Sequence, residues 1–387
     1  MTYARSRLML GISGVGLIVL VSLGCLVTQV PLDWLPTNQH WEPNDLSALI
    51  LVIGCLIGIM APLDFLGGYV LPNRRRRSMV TSQHFLASWL RAVSVQSAVF
   101  FLAGVIILGA GRWFGLLGAA LSVLLMGVIL IVYQLQLGRF TASLGQVAEP
   151  EKSEQERLAA AIRQTERWGC ESRQIVLLSN SDPGFTGGVV GMPWMERIVL
   201  PVGLLKALDV EELAVTLARR FEATQDGSRS RGIVVAFVWV LVGFTVSATL
   251  PGAGVVSVAE LAMTCLGFTL WTFAGLLVLP TLSRQASFAI DQRVIERGAS
   301  PESLHRSISK CDRFQDDEPE RPAMIEAIFH PVPSVGRRLA ESSTRVPIAW
   351  HAARMTLFIS WACMGTLVRA VHCNVGRPEL WVMYPTD

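Results

Sequence analysis

Charge is the scarcest commodity in this chain. Asp, Glu, Lys and Arg make up only 16% of its 387 residues, against about 25% in an average soluble protein. The net charge is only +3, and the polar stretches mix both signs, which argues against a nucleic-acid partner. The seven cysteines (25, 55, 170, 265, 311, 363 and 373) never form C-x-x-C, so neither a zinc ribbon nor a disulfide framework is implied. No two of the six histidines (40, 84, 305, 330, 351 and 372) stand four residues apart. There is no G-x-S-x-G elbow for a serine nucleophile, no G-K-[ST] phosphate loop and no internal repeat.

What fills the space is apolar. Hydrophobic residues make up 51% of the chain, and they collect in charge-free runs long enough to cross a bilayer, which takes about 20 residues. These runs are Leu8–Val30, Leu46–Leu63, Ala92–Gly111, Trp113–Leu137, Gly232–Leu250 and Leu261–Leu282. Arg112 splits the third from the fourth, and Pro251-Gly252-Ala253-Gly254 joins the last two. A seventh run, Met355–Val368, is short and spans only if Arg354 and Arg369 reach for the interface. The first run is too long for a signal peptide and lacks a small-residue cleavage pattern, which makes it an uncleaved anchor.

Lys and Arg placement orients the spans. Arg5 and Arg7 precede the first, and Arg74-Arg75-Arg76-Arg77 follows the second. The intervening loop Pro31–Asp45 has neither Lys nor Arg. The N-terminus and both polar lobes are therefore expected in the cytoplasm, in a bacterial-type inner membrane. If the seventh run spans, the tail with Cys373 lies outside. Trp34 and Trp41 suit an aromatic belt on the outer face. The Arg74–Arg77 run reads as a topology anchor in preference to a grip on anionic headgroups. The expected organisation is a four-span region over 1–137, a polar lobe over 138–231, a membrane hairpin over 232–282, a second lobe of the same domain over 283–353, and a possible last span with a short tail over 354–387. Neither lobe has enough apolar residues for a good core alone, so the two are expected to pack as one domain.

In the first lobe, which follows Ala148-Glu149-Pro150, Ser153-Glu154-Gln155-Glu156 reads as a capping box, and Leu158, Ile162 and Trp168 mark an amphipathic helix ending near Gly169. Gln174–Leu178 and Arg197–Leu200 read as strands, and the Gly-rich Phe185–Gly191 as an edge strand. Ser181-Asp182-Pro183-Gly184 and Pro193-Trp194-Met195 read as turns. In the second lobe, Ser283–Arg297 is a helix ended by Gly298, Ser300-Pro301-Glu302 starts another, Cys311–Pro322 is an acidic loop, and His330-Pro331 breaks the chain before a short helix through Arg337, Arg338 and Leu339.

The end of the first lobe holds the stretch with the most to say. Asp209 caps a helix with Glu212 three residues on, and Leu213, Leu217 and Phe221 recur at i, i+4 and i+8 on one face. This resembles the opening of a metalloprotease helix, which would next carry H-E-x-x-H. Here those slots hold Arg219, Arg220, Phe221, Glu222 and Ala223.

The ordered set of pieces resembles the HtpX-like membrane zinc metallopeptidases, metallopeptidase family forty-eight, which include the CAAX prenyl proteases. Phe185-Thr186-Gly187 is similar to the family's short strand before the zinc helix. Ile198–Leu205 is similar to the strand and turn that feed it, and Asp209–Leu213 to its start. A membrane hairpin then intervenes. Ser283-Arg284-Gln285-Ala286-Ser287-Phe288-Ala289-Ile290-Asp291 is similar to the family's S-R-x-x-E-x-x-x-D segment, and His330-Pro331 with Arg337 to its late H-P…R motif. The resemblance covers Gln174–Leu339. It implies a mainly α polytopic membrane protein with a cytoplasmic α+β zincin-like domain split by a transmembrane hairpin.

The departures fall on the chemistry. The resemblance makes Arg219 the first His position, Arg220 the base, Ala223 the second His and Ser287 the third ligand. A guanidinium has no lone pair to offer and repels a cation, so zinc, expected of the family, has no support here. Asp291, which in the family steadies the first His, is retained. Arg219 and Asp291 are expected to form a buried ion pair in place of the metal; the alternative has both arginines facing water.

Other candidates are weaker. His330 and Glu326 stand one turn apart and could ligate, though Pro331 marks a helix end there. Ser228 and Ser230 sit beside arginines that anchor a span. Phe185–Gly191, with Thr186, Gly187 and His330, could line a cleft whose strand edge takes an extended peptide, or could be a tight hairpin. Asp64 and Glu260 are the intramembrane acids, both expected at interfaces. The preferred expectation is a catalytically inactive pseudopeptidase that binds unfolded or membrane-protein segments or regulates an active protease partner. The alternatives are an active metalloendopeptidase with another metal site and a structural membrane module.

Overall fold

The computed structural model describes residues 2–75, 81–142, 150–179, 182, 184–315, 317–340 and 349–382. Arg76, Arg77, Ala148, Glu149, Ser181 and Pro183 lie outside them, and with them parts of the Arg run and of two expected turns. The architecture is mainly helical, with one small sheet. The chain divides into two compact units. One comprises Met1–Ile131, Ala236–Gly275 and Thr356–Trp381, and the other Val132–Val235, Leu276–Met355 and Val382–Asp387.

Among the described residues, five helices are long and apolar enough to cross a membrane. In the first unit these include α1 (Tyr3–Thr28), α2 (Pro43–Phe65, continued by π and α turns to Arg74) and α3 (Ser82–Val132). Pro43 opens α2, where its missing N–H costs nothing, and Asp45 closes the first turn by accepting the Glu42 amide at 3.2 Å. The two runs expected on either side of Arg112 are the arms of α3, and the bend lies at Gly115 (φ 63°, ψ −157°). Arg112 is helical because its charge is spent inside the unit. It pairs with buried Asp45 at 3.0 Å, donates to the Val256 carbonyl at 2.7 Å and lies 4.5 Å from the Trp41 ring centre.

The seventh apolar run does not form a spanning helix. After Ala352–Ile359 the backbone tightens into 3₁₀ turns at Ser360–Cys363 and Leu367–Arg369, with Met364 left-handed between them (φ 60°). Arg369 is the physical reason. It does not reach for an interface but is buried, ion-paired with Asp64, and pulls the chain into the unit. Irregular backbone of this kind is tolerated where protein surrounds it.

In the second unit, α4 (Lys152–Arg167) is capped by Glu151, not Ser153: the Glu151 amide donates to Glu154 at 3.0 Å. The sheet comprises β1 (Gln174–Leu178), β2 (Gly188–Val190) and β3 (Arg197–Pro201), in the order β1-β3-β2. β1 runs parallel to β3, with Val176 beside Val199. β2 runs antiparallel to it, with Val189 beside Ile198. At Gly187 (φ 90°) a Cβ would sit 2.2 Å from the Val199 carbonyl oxygen, so only glycine lets the chain enter β2 this close to β3.

The helices that follow are α5 (Val210–Gln225), α6 (Ser228–Ser247), α7 (Val258–Glu296), α8 (Pro301–Gln315), α9 (Ala323–Phe329) and α10 (Val335–Ala340). The expected acidic loop thus begins only after α8, since Cys311–Gln315 are that helix's last turn. Asp209 and Glu212 exchange reciprocal hydrogen bonds of 2.8 and 2.9 Å at the start of α5. Leu213, Leu217 and Phe221 are fully buried and share one core with Ile198 and Leu200 of the sheet, Ile290 of α7 and Leu304 of α8. That core draws on both polar stretches of the sequence. It also leaves α5 without a wet side: every residue from Glu212 to Thr224 is buried. The four charges on that stretch must therefore find partners inside the protein.

Candidate functional site

Arg219 and Asp291 meet. Arg219 Nε donates to Asp291 Oδ1 at 2.6 Å, and the two residues are 3% and 2% exposed. Asp291 serves a second cation as well. Arg338 of α10 donates from Nε to Oδ2 at 2.7 Å and from Nη2 to Oδ1 at 2.8 Å, the two-pronged geometry that a guanidinium and a carboxylate favour. One carboxylate thereby ties together α5, α7 and α10. In the sequence it is Arg337, the neighbour of Arg338, that fits the late H-P…R motif. No local pattern marks Arg338: only the structure shows that it and Val335 form the buried side of α10.

Arg220 turns toward the sheet. It donates to the Val199 carbonyl at 3.2 Å and to the Thr186 carbonyl at 2.6 Å, bridging β3 and the entry to β2. Gln315 donates to the Thr186 hydroxyl at 2.8 Å. Phe185, Thr186, Gly187 and the whole of β2 are buried, as is His330. Of the two readings of this segment, a strand edge that takes a peptide and a tight hairpin, neither is favoured by sequence; here the segment is buried and its Thr186 carbonyl is engaged by Arg220.

The remaining charge on α5 is balanced locally. Glu222 pairs with Arg297 at 2.7 Å and lies 3.6 Å from Arg293. Buried Glu212 receives Lys310 at 2.6 Å, and the Thr216 and Ser307 hydroxyls meet at 2.8 Å where α5 crosses α8.

The position matched to the second His holds Ala223, fully buried. The position matched to the third ligand holds Ser287, whose hydroxyl donates to the Ser283 carbonyl at 3.3 Å. His330 ends α9. Its amide donates to the Glu326 carbonyl at 3.1 Å and its own carbonyl accepts from Arg284 at 3.4 Å. Arg284 also donates to the carbonyls of Glu326 and Ala327, at 2.8 and 2.6 Å, a cation at a helix C-terminus. Glu326 itself accepts from Arg337 and from the Ser334 amide, both at 3.2 Å, so this carboxylate braces the His330-Pro331 break. Among the described residues no three His, Cys, Asp or Glu side chains are grouped so as to hold a metal. The residues at the position implied for zinc do not fit it: two guanidinium groups, a methyl and a hydroxyl offer one weak oxygen donor and two cations.

Of the two acids expected at interfaces, Asp64 is fully buried inside the protein. It pairs with Arg369 and accepts from the Trp89 indole at 3.0 Å and the Gly376 amide at 2.9 Å. Arg369 also donates to Gln96 at 3.3 Å and lies 4.7 Å from the Trp381 ring centre. Glu260 accepts from the Val256 amide at 3.2 Å and shapes the turn before α7.

No protein-family model and no curated protein matches this sequence. The architecture does match a solved structure. The crystal structure of S. mikatae Ste24p superposes with a TM-score of 0.64 over 78% of this chain and 76% of that one, at 13% sequence identity. The chain therefore shares the fold of Ste24p, an arrangement of several apolar helices consistent with a polytopic membrane protein.

Proposed function

We propose that this protein is a membrane-embedded pseudopeptidase: a Ste24p-like, metallopeptidase-type scaffold without metal chemistry, acting as a binding or regulatory protein. The observation that carries this reading is the Arg219–Asp291–Arg338 cluster. Where the sequence resemblance assigns a cation-ligating histidine, a cation-repelling guanidinium is held by the retained aspartate. The base position, Arg220, is likewise committed to strand carbonyls and offers no proton acceptor.

In the proposed mechanism the guanidinium of Arg219 does the structural part of a metal ion's work. It is a fixed positive charge on α5 that holds Asp291 of α7, which in turn takes Arg338 of α10, but a guanidinium cannot activate a water as a metal does. What remains for function is recognition: segments of unfolded or membrane proteins, or an active protease that this scaffold accompanies. The N-terminus and both polar lobes, 138–231 and 283–353, would then face the cytoplasm of a bacterial-type inner membrane, as the Arg5, Arg7 and Arg74 placement favours.

Metal analysis of the purified full-length protein, with a chelator-sensitive cleavage assay on a denatured substrate, tests the reading. The expected result is substoichiometric zinc and no chelator-sensitive cleavage. One zinc per chain, or cleavage abolished by a chelator, overturns it.

A further inference from the structure

The connection between β2 and β3 turns at Met192-Pro193-Trp194-Met195, four residues without charge. The Met195 amide closes the turn onto the Met192 carbonyl at 3.0 Å. Trp194 is 85% exposed and Met195 69%. Trp194 also adopts φ 63°, a left-handed conformation that bulky residues rarely take. An indole held outward in a disfavoured conformation gains nothing from water. The other strongly exposed tryptophans, Trp34, Trp41 and Trp113, lie beside apolar spans, where the amphipathic ring suits the membrane boundary.

The tip is tethered to such a span. Arg229, in the first turn of α6, donates to the Gly191 carbonyl at 2.6 Å, and its side chain lies 3.6 Å from Glu196. Gly191 and Glu196 flank the tip on either side. The uncharged stretch of α6 begins at Gly232, and α6 has the length and hydropathy of a membrane span. Only Ser230 and Arg231 lie between Arg229 and Gly232, a rise of about 4.5 Å along the axis. The flanks of the tip are thus fixed near the depth at which α6 enters the bilayer. Arg197 is exposed at the foot of the tip, placed for phosphate headgroups.

We propose that the Met192–Met195 tip is a membrane anchor that inserts Trp194 and Met195 at the headgroup–acyl boundary beside α6. The partner is the lipid bilayer, with the indole N–H meeting ester and phosphate oxygens and the Met195 side chain meeting acyl carbon. The anchor fixes the short sheet against the membrane surface independently of whether the site on α5 has any activity.

The test uses the full-length protein, labelled with 5-fluorotryptophan, in nanodiscs of phosphatidylcholine and phosphatidylglycerol. The fluorine resonance missing from Trp194→Phe is that of Trp194. A lipid carrying a nitroxide near the headgroup is expected to broaden it at least twofold more than a soluble gadolinium chelate does. Broadening by the chelate alone places the indole in water and overturns the anchor. Protection from both agents places it against protein or a second copy and overturns it equally.

Discussion

Asp291 and Asp64 are two solutions to one problem: a carboxylate buried to within 2% exposure in a protein poor in charge. Asp291 is shared by two guanidinium groups, Arg219 and Arg338, and fastens three helices of the second unit. Asp64 has one guanidinium, Arg369, with an indole and a backbone amide making up the rest of its shell. The first cluster stands where the resemblance puts a metal, and it joins two guanidinium groups from separate helices to one carboxylate. The second joins one guanidinium to a carboxylate and fastens the irregular C-terminal segment to α2 and α3. The difference lies in how many helices one buried acid holds.

The largest effect should come from Asp291→Ala, because it removes the shared carboxylate from two buried guanidinium groups at once. Breaking a buried pair by removing one partner costs about 3–5 kcal/mol, and this variant should lie at the upper end. Thermal or denaturant unfolding of the detergent-solubilised full chain reads it. A variant as stable as the parent would mean that the cluster is solvated, and the comparison with Asp64 would collapse.

Asp64→Ala strands one cation and two neutral donors, so its loss should fall near the lower end of that range, about 3 kcal/mol. It should also free the C-terminal segment. The Trp89 and Gly376 hydrogen bonds go with the carboxylate, and protease nicking within 364–377 should rise where Asp291→Ala leaves it unchanged. Equal nicking in both variants would show that the two locks are one cooperative network.

The two clusters were unequally legible in the sequence. Asp209, Glu212 and the Leu213–Leu217–Phe221 face announce α5, because capping and periodicity act within one turn of helix. The Arg219–Asp291 pairing could be drawn because an ordered set of motifs puts the two positions opposite one another. Arg338 could not, since its role depends on which side of a six-residue helix turns inward. Asp64 sits near the end of an apolar run and reads as interfacial. Only the return of Arg369 from 305 residues away makes it a core residue, and no local pattern encodes a contact that distant. The same holds for the seventh apolar run. Its hydropathy suits a span, and what bends it is a tertiary ion pair. Thr186 is likewise engaged by Arg220 and Gln315, neither of which has a local relation to it.

An exposed lysine on the second unit, held by buried Glu154 and exposed Glu151, sharpens the comparison from its weak end. Lys206 lies 3.2 Å from Glu154 and 3.6 Å from Glu151, with its own side chain 58% exposed. The hydrogen bond to Glu154, then the charges of Glu154 and Glu151, raise its pKa above the ordinary 10.5. A raised folded-state pKa means that the folded protein holds the proton more tightly than the unfolded chain. The lysine's contribution is therefore complete below pH 10.5 and is lost as pH rises through the higher folded value. Lys206→Met should be slightly less stable than the parent at neutral pH and low salt, and the gap should close above that pH and also at high salt. The Asp291 and Asp64 variants should keep their full deficit at the same salt, because their charges are buried where counter-ions do not reach. If high salt narrowed those deficits as it narrows that of Lys206→Met, burial would not be what distinguishes the two inner clusters from the exposed lysine.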